Sequence, residues 1–263
     1  MTPRVPIEFG LKAFDCSIRA GCDTSDIHEA LQRYLLPTLP RSAPPSSPDI
    51  DLSITRSSEG FSVHVNQSVV ALAATPHDSA LAAIKALDEI LVHRIETLRA
   101  VHAGAVLVEG RALLIPGSTH AGKSSLVAEL LRRGASHFSD EYALIDNHGR
   151  THSYPRPLLL RNGGPLQQLV LPEELSARFA TEPAPIGWIV ALNYMPDGVW
   201  DVHSLSQSEA VMLLLRNTPH EMAQSPETID FFLRAAANAV CIEGRRGDAV
   251  DAATRLLDMI HRK

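Results

Sequence analysis

The stretch "LLIPGSTHAGKSSLVAELL", residues 113–131, decides the fold. An apolar run ends at Pro116 and Gly117, a short polar loop follows, and from Lys123 the apolar residues recur at helical spacing. Gly117 through Ser124, GSTHAGKS, fits the spacing G-x-x-x-x-G-K-[ST]. Gly117 lets the chain leave a strand sharply, and Gly122 lets backbone pass close to a ligand. Ser118, Thr119, His120 and Ala121 supply the intervening amides, and Ser125 continues the first helical turn. Such inward-pointing N–H groups form an anion nest, reinforced by the positive end of the helix dipole. In that arrangement Lys123 reaches the β- and γ-phosphates of a nucleotide, and the Ser124 hydroxyl faces Mg²⁺. A chance match in a Gly/Ser loop is the alternative. The apolar strand before the loop and the amphipathic helix after it are the context a phosphate loop requires. The side chain of His120 is read as solvent-facing, with a phosphate contact as the rival reading.

Outward from this loop, the C-terminal half alternates strand and helix. "AVLVEG" and "RALLIPG" read as adjoining strands turning at Glu109-Gly110, and "KSSLVAELLRRG" as a helix closed by Gly134. "SHFSDEYALID" reads as strand, polar break, strand, "GWIVALNY" (187–194) as a buried strand, and "SQSEAVMLLLRNT" and "GDAVDAATRLLDMIHR" as amphipathic helices. Arg245 and Arg246 in "CIEGRRGD" read as a solvated hairpin tip, with a phosphate contact from a late turn as the rival reading. The fold class is therefore α/β, bordering on α+β, with helices packed on a sheet.

The N-terminal half reads as a separate small α+β unit. "RVPIEFGLKAFDCSIRA" gives one or two strands, and "TSDIHEALQRYLLPTL" a helix capped by Thr24 or Ser25 and stopped by Pro37. Residues 40–49 form a proline- and serine-rich loop. "IDLSITRSSEGFSVHVNQSVVALAA" reads as a hairpin turning at Ser57 to Gly60. From Asp78 a helical stripe runs through Leu81, Ile84, Leu87, Leu91 and Ile95. The expected division is 1–98 and 99–263.

Composition narrows the function classes. The chain has 263 residues, 24 basic against 30 acidic, and a net charge of −6, which argues against nucleic acid as a partner. Three cysteines, Cys16, Cys22 and Cys241, form neither a disulfide framework nor a zinc set. No apolar run has the length of a signal peptide or a membrane span, so a cytoplasmic location without a membrane partner is expected.

The second half of a phosphate site is sought after the loop helix. Ser139, Asp140 and Glu141 interrupt an apolar strand pair. Adjacent acids at a strand end are costly against a core unless a cation or solvent meets them. Mg²⁺ held with Ser124 would meet them, and an acid there can take the proton of an attacking hydroxyl. A solvated turn is the plainer reading.

Residues 101–146, "VHAGAVLVEGRALLIPGSTHAGKSSLVAELLRRGASHFSDEYALID", resemble the catalytic core of HPr kinase/phosphorylase and its relatives, which share a P-loop fold with the phosphoenolpyruvate carboxykinases. His102-Ala103 before the first strand, the glycine loop, Arg133-Gly134 after the helix, and the acidic pair Asp140-Glu141 carry the resemblance. The second acid of the family pair is normally Asp, and the arginine-containing segment that follows it there is replaced by "SYPRPLLLRNGG". The resemblance implies ATP and Mg²⁺ as cofactors, Asp140 as general base, Glu141 supporting the metal, and His102 beside the transferred phosphoryl group. A histidine bonded to backbone is the alternative for His102. Arg156 and Arg161 stand as phosphate clamps or as surface arginines. The implied activity is transfer of the γ-phosphoryl group to a hydroxyl, most readily a serine of a peptide or protein, with the N-terminal unit selecting the acceptor or a partner. A small-molecule hydroxyl and a non-catalytic nucleotide-gated module in a peptide-maturation or regulatory complex are the rivals, and a homo-oligomer is compatible with the family. A GTPase-like switch would want a downstream N-K-x-D, which is absent.

Overall fold

The computed structural model describes residues 7–14, 16–35, 39–161 and 167–262. The chain divides into two compact units, Met1–Glu96 and Thr97–Lys263. Pro37, expected to stop the first helix, lies outside the described residues.

The first unit is a six-stranded sheet with two helices. Its elements are β1 (Ile7–Ala13), β2 (Cys16–Cys22), α1 (Ser25–Tyr34), β3 (Arg41–Ser42), β4 (Ile50–Ser57), β5 (Gly60–Val65), β6 (Ser68–Ala73) and α2 (Pro76–Arg94). The strand order is β3-β1-β2-β4-β5-β6, antiparallel except where β2 meets β4. Period-two alternation sets one face inward: Leu11, Ile18, Ala20, Ile50, Leu52, Ile54 and Val63 are fully buried. The helices cover that face with Ile27, Leu31, Ile84, Leu87 and Leu91. Thr75 caps α2 by accepting from the Asp78 amide. The segment 50–74 carries three strands where a single hairpin was expected. The second turn is Asn66-Gln67, both residues at positive φ (47° and 68°), the backbone a two-residue hairpin turn demands. Asn66 signals it only weakly without a glycine beside it.

The second unit begins with β7 (Arg99–Val108) and β8 (Arg111–Pro116), joined by the left-handed pair Glu109 and Gly110. It continues through α3 (Lys123–Arg132), β9 (Ser136–Ser139), β10 (Tyr142–Ile145), β11 (Arg150–His152), β12 (Leu158–Leu160), β13 (Gln168–Val170) and β14 (Ala184–Tyr194). Then come β15 (Asp201–Ser204), α4 (Gln207–Arg216), α5 (His220–Ala223), α6 (Pro226–Ala236), β16 (Val240–Arg246) and α7 (Ala249–His261). The main sheet runs β11-β10-β7-β8-β14-β16-β15, with β8, β14 and β16 mutually parallel at its centre. Its two faces have separate cores. Val101, Ala103, Ala105, Leu114 and Ile189 pack with Leu214 of α4 and Phe232 of α6. Val106, Leu113, Ile115, Trp188 and Val190 pack with Leu126, Val127 and Leu130 of α3 and Leu256 of α7. Each large aliphatic side chain so buried contributes about 1.5–3 kcal/mol. A mixed α/β sheet with helices on both faces results.

Two features depart from the sequence reading. Residues 219–239, to which it assigned no element, form α5 and α6. The segment read as a hairpin tip is instead β16, a central parallel strand, whose last residue Arg246 is 2% exposed. Arg245 alternates to the outside and is exposed, as expected.

Candidate active site

The site is built where the loop 117–122 meets the edge of β7. Along β7, Val101, Ala103 and Ala105 point to one face, so His102 and Gly104 point to the other, the face covered by α3. Gly104 is needed there, since a Cβ would come within 2.5 Å of Val127 on α3. On the same edge of β7, β10 pairs with Arg99–His102 and β9 with Ala105–Leu107. The common register carries through the gap and sets Asp140 opposite Gly104 and Glu141 opposite Ala103. The Ala103 amide donates to the Glu141 carbonyl at 3.1 Å. The acidic pair is thus delivered to the α3 side by a two-residue jog in one continuous pairing.

Lys123, the first residue of α3, is 8% exposed. Its Nζ donates to the carbonyls of Gly117 (2.9 Å) and Ser118 (3.1 Å), folding back over the loop, and lies 3.4 Å from His102 Nε2. That same His102 nitrogen is 3.2 Å from Glu141 Oε1, and the backbone amide of His102 donates to the Asn217 carbonyl. Lysine, histidine and glutamate therefore meet at one ring nitrogen, which accepts from Lys123 when bare and donates to Glu141 when protonated, one at a time. Burial lowers the Lys123 pKa, and the charges of Glu141 and Asp140 act to raise it.

Asp140 is 3% exposed. Its Oδ2 accepts from the Leu159 amide at 3.3 Å, while Oδ1 is buried without a partner. Burial raises its pKa to about 7; the Ser124 hydroxyl, the Leu159 amide and Lys123 favour the charged form, and Glu141 opposes it. An orphaned carboxylate oxygen is expensive, and a proton, a hydroxyl donor or a cation would satisfy it. The oxygen-rich set of Ser124, Asp140 and Glu141 suits Mg²⁺ by donor chemistry. Among the described residues no cluster of three or more His, Cys, Asp and Glu side chains is assembled for a metal.

The loop itself is held from behind. The Tyr194 amide, at the end of β14, donates to the Ala121 carbonyl at 3.2 Å, and Arg246 Nη2, at the end of β16, donates to the Gly122 carbonyl at 2.7 Å. Gly122 sits at φ +83°, where a Cβ would meet Arg246 Nη2 at 2.5 Å. Ser118, Thr119, His120 and Ser125 are exposed, and Ala121 is buried against the loop. His120 is left-handed, at φ +72°.

The two other arginines do not behave as surface residues alike. Arg156 is 1% exposed, its guanidinium 4.3 Å from the Tyr154 ring centroid and donating to Tyr154 Oη at 2.8 Å and to the Pro155 carbonyl at 3.4 Å. Its own carbonyl is 2.9 Å from His137 Nε2. Arg161 is exposed beyond the end of β12. The arginine that adjoins the loop is Arg246, which the sequence reading set aside because "GRRGD" has the composition of a turn. Its burial follows from strand order, with β16 central beside β14, and no local pattern encodes that.

No family model matches the chain, and no curated protein matches it. Among solved structures, the Hpr(Ser) kinase/phosphatase from Coxiella burnetii is similar over 63% of this chain and 99% of that chain, at 12% identity and a TM-score of 0.33. At that level the likeness carries no argument about residues or chemistry. No helix among the described residues is long and apolar enough to cross a membrane. By its own elements the chain is a mixed α/β protein that gathers a lysine, a histidine and two carboxylates at the mouth of a glycine loop.

Proposed function

We propose that the protein is an ATP-dependent phosphotransferase that moves the γ-phosphoryl group to a hydroxyl, the favoured acceptor being a serine of a peptide or protein. The observation that carries this reading is Asp140: a buried carboxylate with an unpartnered oxygen, beside Ser124 and Lys123 at the N-terminus of α3. A carboxylate so placed can take a proton as well as face a cation, and the first of these is what a transfer reaction needs. Lys123 leaves the Gly117 and Ser118 carbonyls for the phosphates, so that its charge moves onto the group in transfer. Ser124 and Glu141 would hold Mg²⁺, whose charge would offset that of the β- and γ-phosphates. Asp140 accepts the proton of the attacking hydroxyl, and a pKa near neutrality suits that task. His102, whose Nε2 lies within reach of both Lys123 and Glu141, orients one or the other according to whether that nitrogen carries a proton. A small-molecule hydroxyl is the second acceptor class, kept because nothing in the site selects against it.

The test is transfer from labelled ATP to a panel of serine-containing peptides and small polyols. Asp140→Asn is expected to lower the transfer rate by at least a hundredfold while Mg-ATP still binds. Lys123→Ala is expected to weaken Mg-ATP binding about 10- to 100-fold by calorimetry. Unchanged binding in Lys123→Ala would remove the loop from the account. Transfer that persists in Asp140→Asn would remove the base.

A further inference from the structure

Among the described residues, the buried cation Arg246 has no carboxylate within ion-pair distance. It is 2% exposed, and among the described residues its contacts are the Gly122 carbonyl (2.7 Å from Nη2), the Gly247 carbonyl (2.8 Å from Nη1) and the Tyr194 ring, with its guanidinium 5.5 Å from the centroid. Its Nε is buried with no partner. The carboxylate of Asp248, two residues on, is taken by the amide of Val250 at the start of α7. Burying a guanidinium without a direct ion pair is costly, and the nearby charge of Asp248 offsets only part of the burial that lowers its pKa; a core-filling role would be met at less cost by a methionine or leucine. The guanidinium donates to two carbonyls, that of its own neighbour Gly247 and that of the loop's last glycine, Gly122.

The geometry of one peptide unit gives this contact a consequence. The Gly122–Lys123 bond is trans, so the Gly122 C=O and the Lys123 N–H point in opposite directions. The Gly122 carbonyl accepts the first hydrogen bond of α3, from the Leu126 amide at 3.2 Å, and Arg246 adds a second donor to the same oxygen from β16; together they fix the peptide with the Lys123 N–H turned the opposite way, into the loop. That N–H is the first of α3 and has no acceptor within the helix. A cation on the carbonyl also polarises the peptide and strengthens its N–H as a donor. The neighbouring carbonyl, Ala121 O, is tied to the same side by the Tyr194 amide. Because Tyr194 and Arg246 are register partners on adjacent parallel strands, the two tethers act as one support.

We infer that Arg246 is a positioning residue for the polyphosphate of the nucleotide: it holds and polarises the Gly122–Lys123 peptide from behind, so that the Lys123 amide is aimed at a phosphate oxygen. This rests on the proposed phosphate site. It predicts dependence on the phosphates and indifference to the base, since the contact acts through the loop backbone.

The experiment uses the full chain with Arg246→Met and Arg246→Lys, calorimetry with Mg-ATP, Mg-ADP and inorganic triphosphate, and the Lys123 amide signal in an NMR titration with triphosphate. Arg246→Met is expected to weaken all three ligands by at least tenfold, in similar proportion. Arg246→Lys, whose ammonium still reaches a carbonyl, is expected to recover part of that loss, with a smaller displacement of the Lys123 amide signal than in the wild type. A folded Arg246→Met that binds Mg-ATP within twofold of wild type overturns the inference and leaves the phosphate site standing. Should Arg246→Met not fold, the amide titration decides: a response in Arg246→Lys identical to wild type overturns it. Wild-type protein that binds none of the three ligands overturns the phosphate site and the inference with it.

Discussion

Above neutral pH an ionised Asp140 must persist where it is 3% exposed and one oxygen has no partner. Its pKa of about 7 in the folded chain exceeds the ordinary 3.8, so the native state binds this proton more tightly than the unfolded state. The stability linked to that proton is complete below about pH 4 and is lost as pH rises toward 7. Asp140→Asn removes the titration and keeps the shape. In the ligand-free protein it is expected to raise stability at pH 8 by on the order of 2 kcal/mol, the gain shrinking toward pH 4. Paired thermal melts at the two pH values check this, and a variant less stable than wild type at pH 8 would refute it. At this scale the sequence was informative about Lys123, Ser124 and the acidic pair, because a loop motif fixes residue types at fixed offsets. It was uninformative about Arg246, because its burial depends on its own strand, β16, settling beside β14, whose paired residues lie 52 positions earlier in the chain.

At the scale of elements, β8, α3, α4 and α7 stand where alternation or helical spacing put them, while β7 begins at Arg99, six residues before the strand read from "AVLVEG", and α2 ends at Arg94, short of Ile95 on the expected stripe. What escaped was punctuation. The Asn66-Gln67 turn divides β5 from β6 without a glycine, and both residues bear the strain of positive φ. Gln67→Gly relieves that strain at some cost in unfolded-chain entropy, and a net gain of about 0.5 kcal/mol is expected in a denaturant titration. A loss would mean that the turn is not left-handed at that position. The α6 helix opens with Pro226 at its first turn and buries Phe232, Ala235 and Ala236, a signal that was present but diluted by exposed Ile229 and Leu233.

For the molecule as a whole, both cores of the second unit are assembled from residues between Val101 and Ile260 alone. A chain of residues 97–263 is therefore expected to melt in a single cooperative transition with native-like near-ultraviolet circular dichroism. A fragment that binds a hydrophobic dye and melts without a transition would count against two self-sufficient units. The order of strands was not legible in the sequence, since nothing in local periodicity says that β16 lies inside β15 or that β11 reaches back to β14. Such pairings are decided by which apolar faces remain uncovered once the hairpins have formed.

The register that Ser139 of β9 and Tyr142 of β10 share along β7 has an evolutionary corollary. Residues 140 and 141 are spaced by a ladder on both sides, so the chain there tolerates exchange of a side chain far better than a change in length. One added residue between Ser139 and Tyr142 would slip the downstream strand by a position and swap its inward and outward faces. A library of single-codon insertions and deletions should accordingly leave a sharp gap at this point, while the 40–49 segment accumulates survivors.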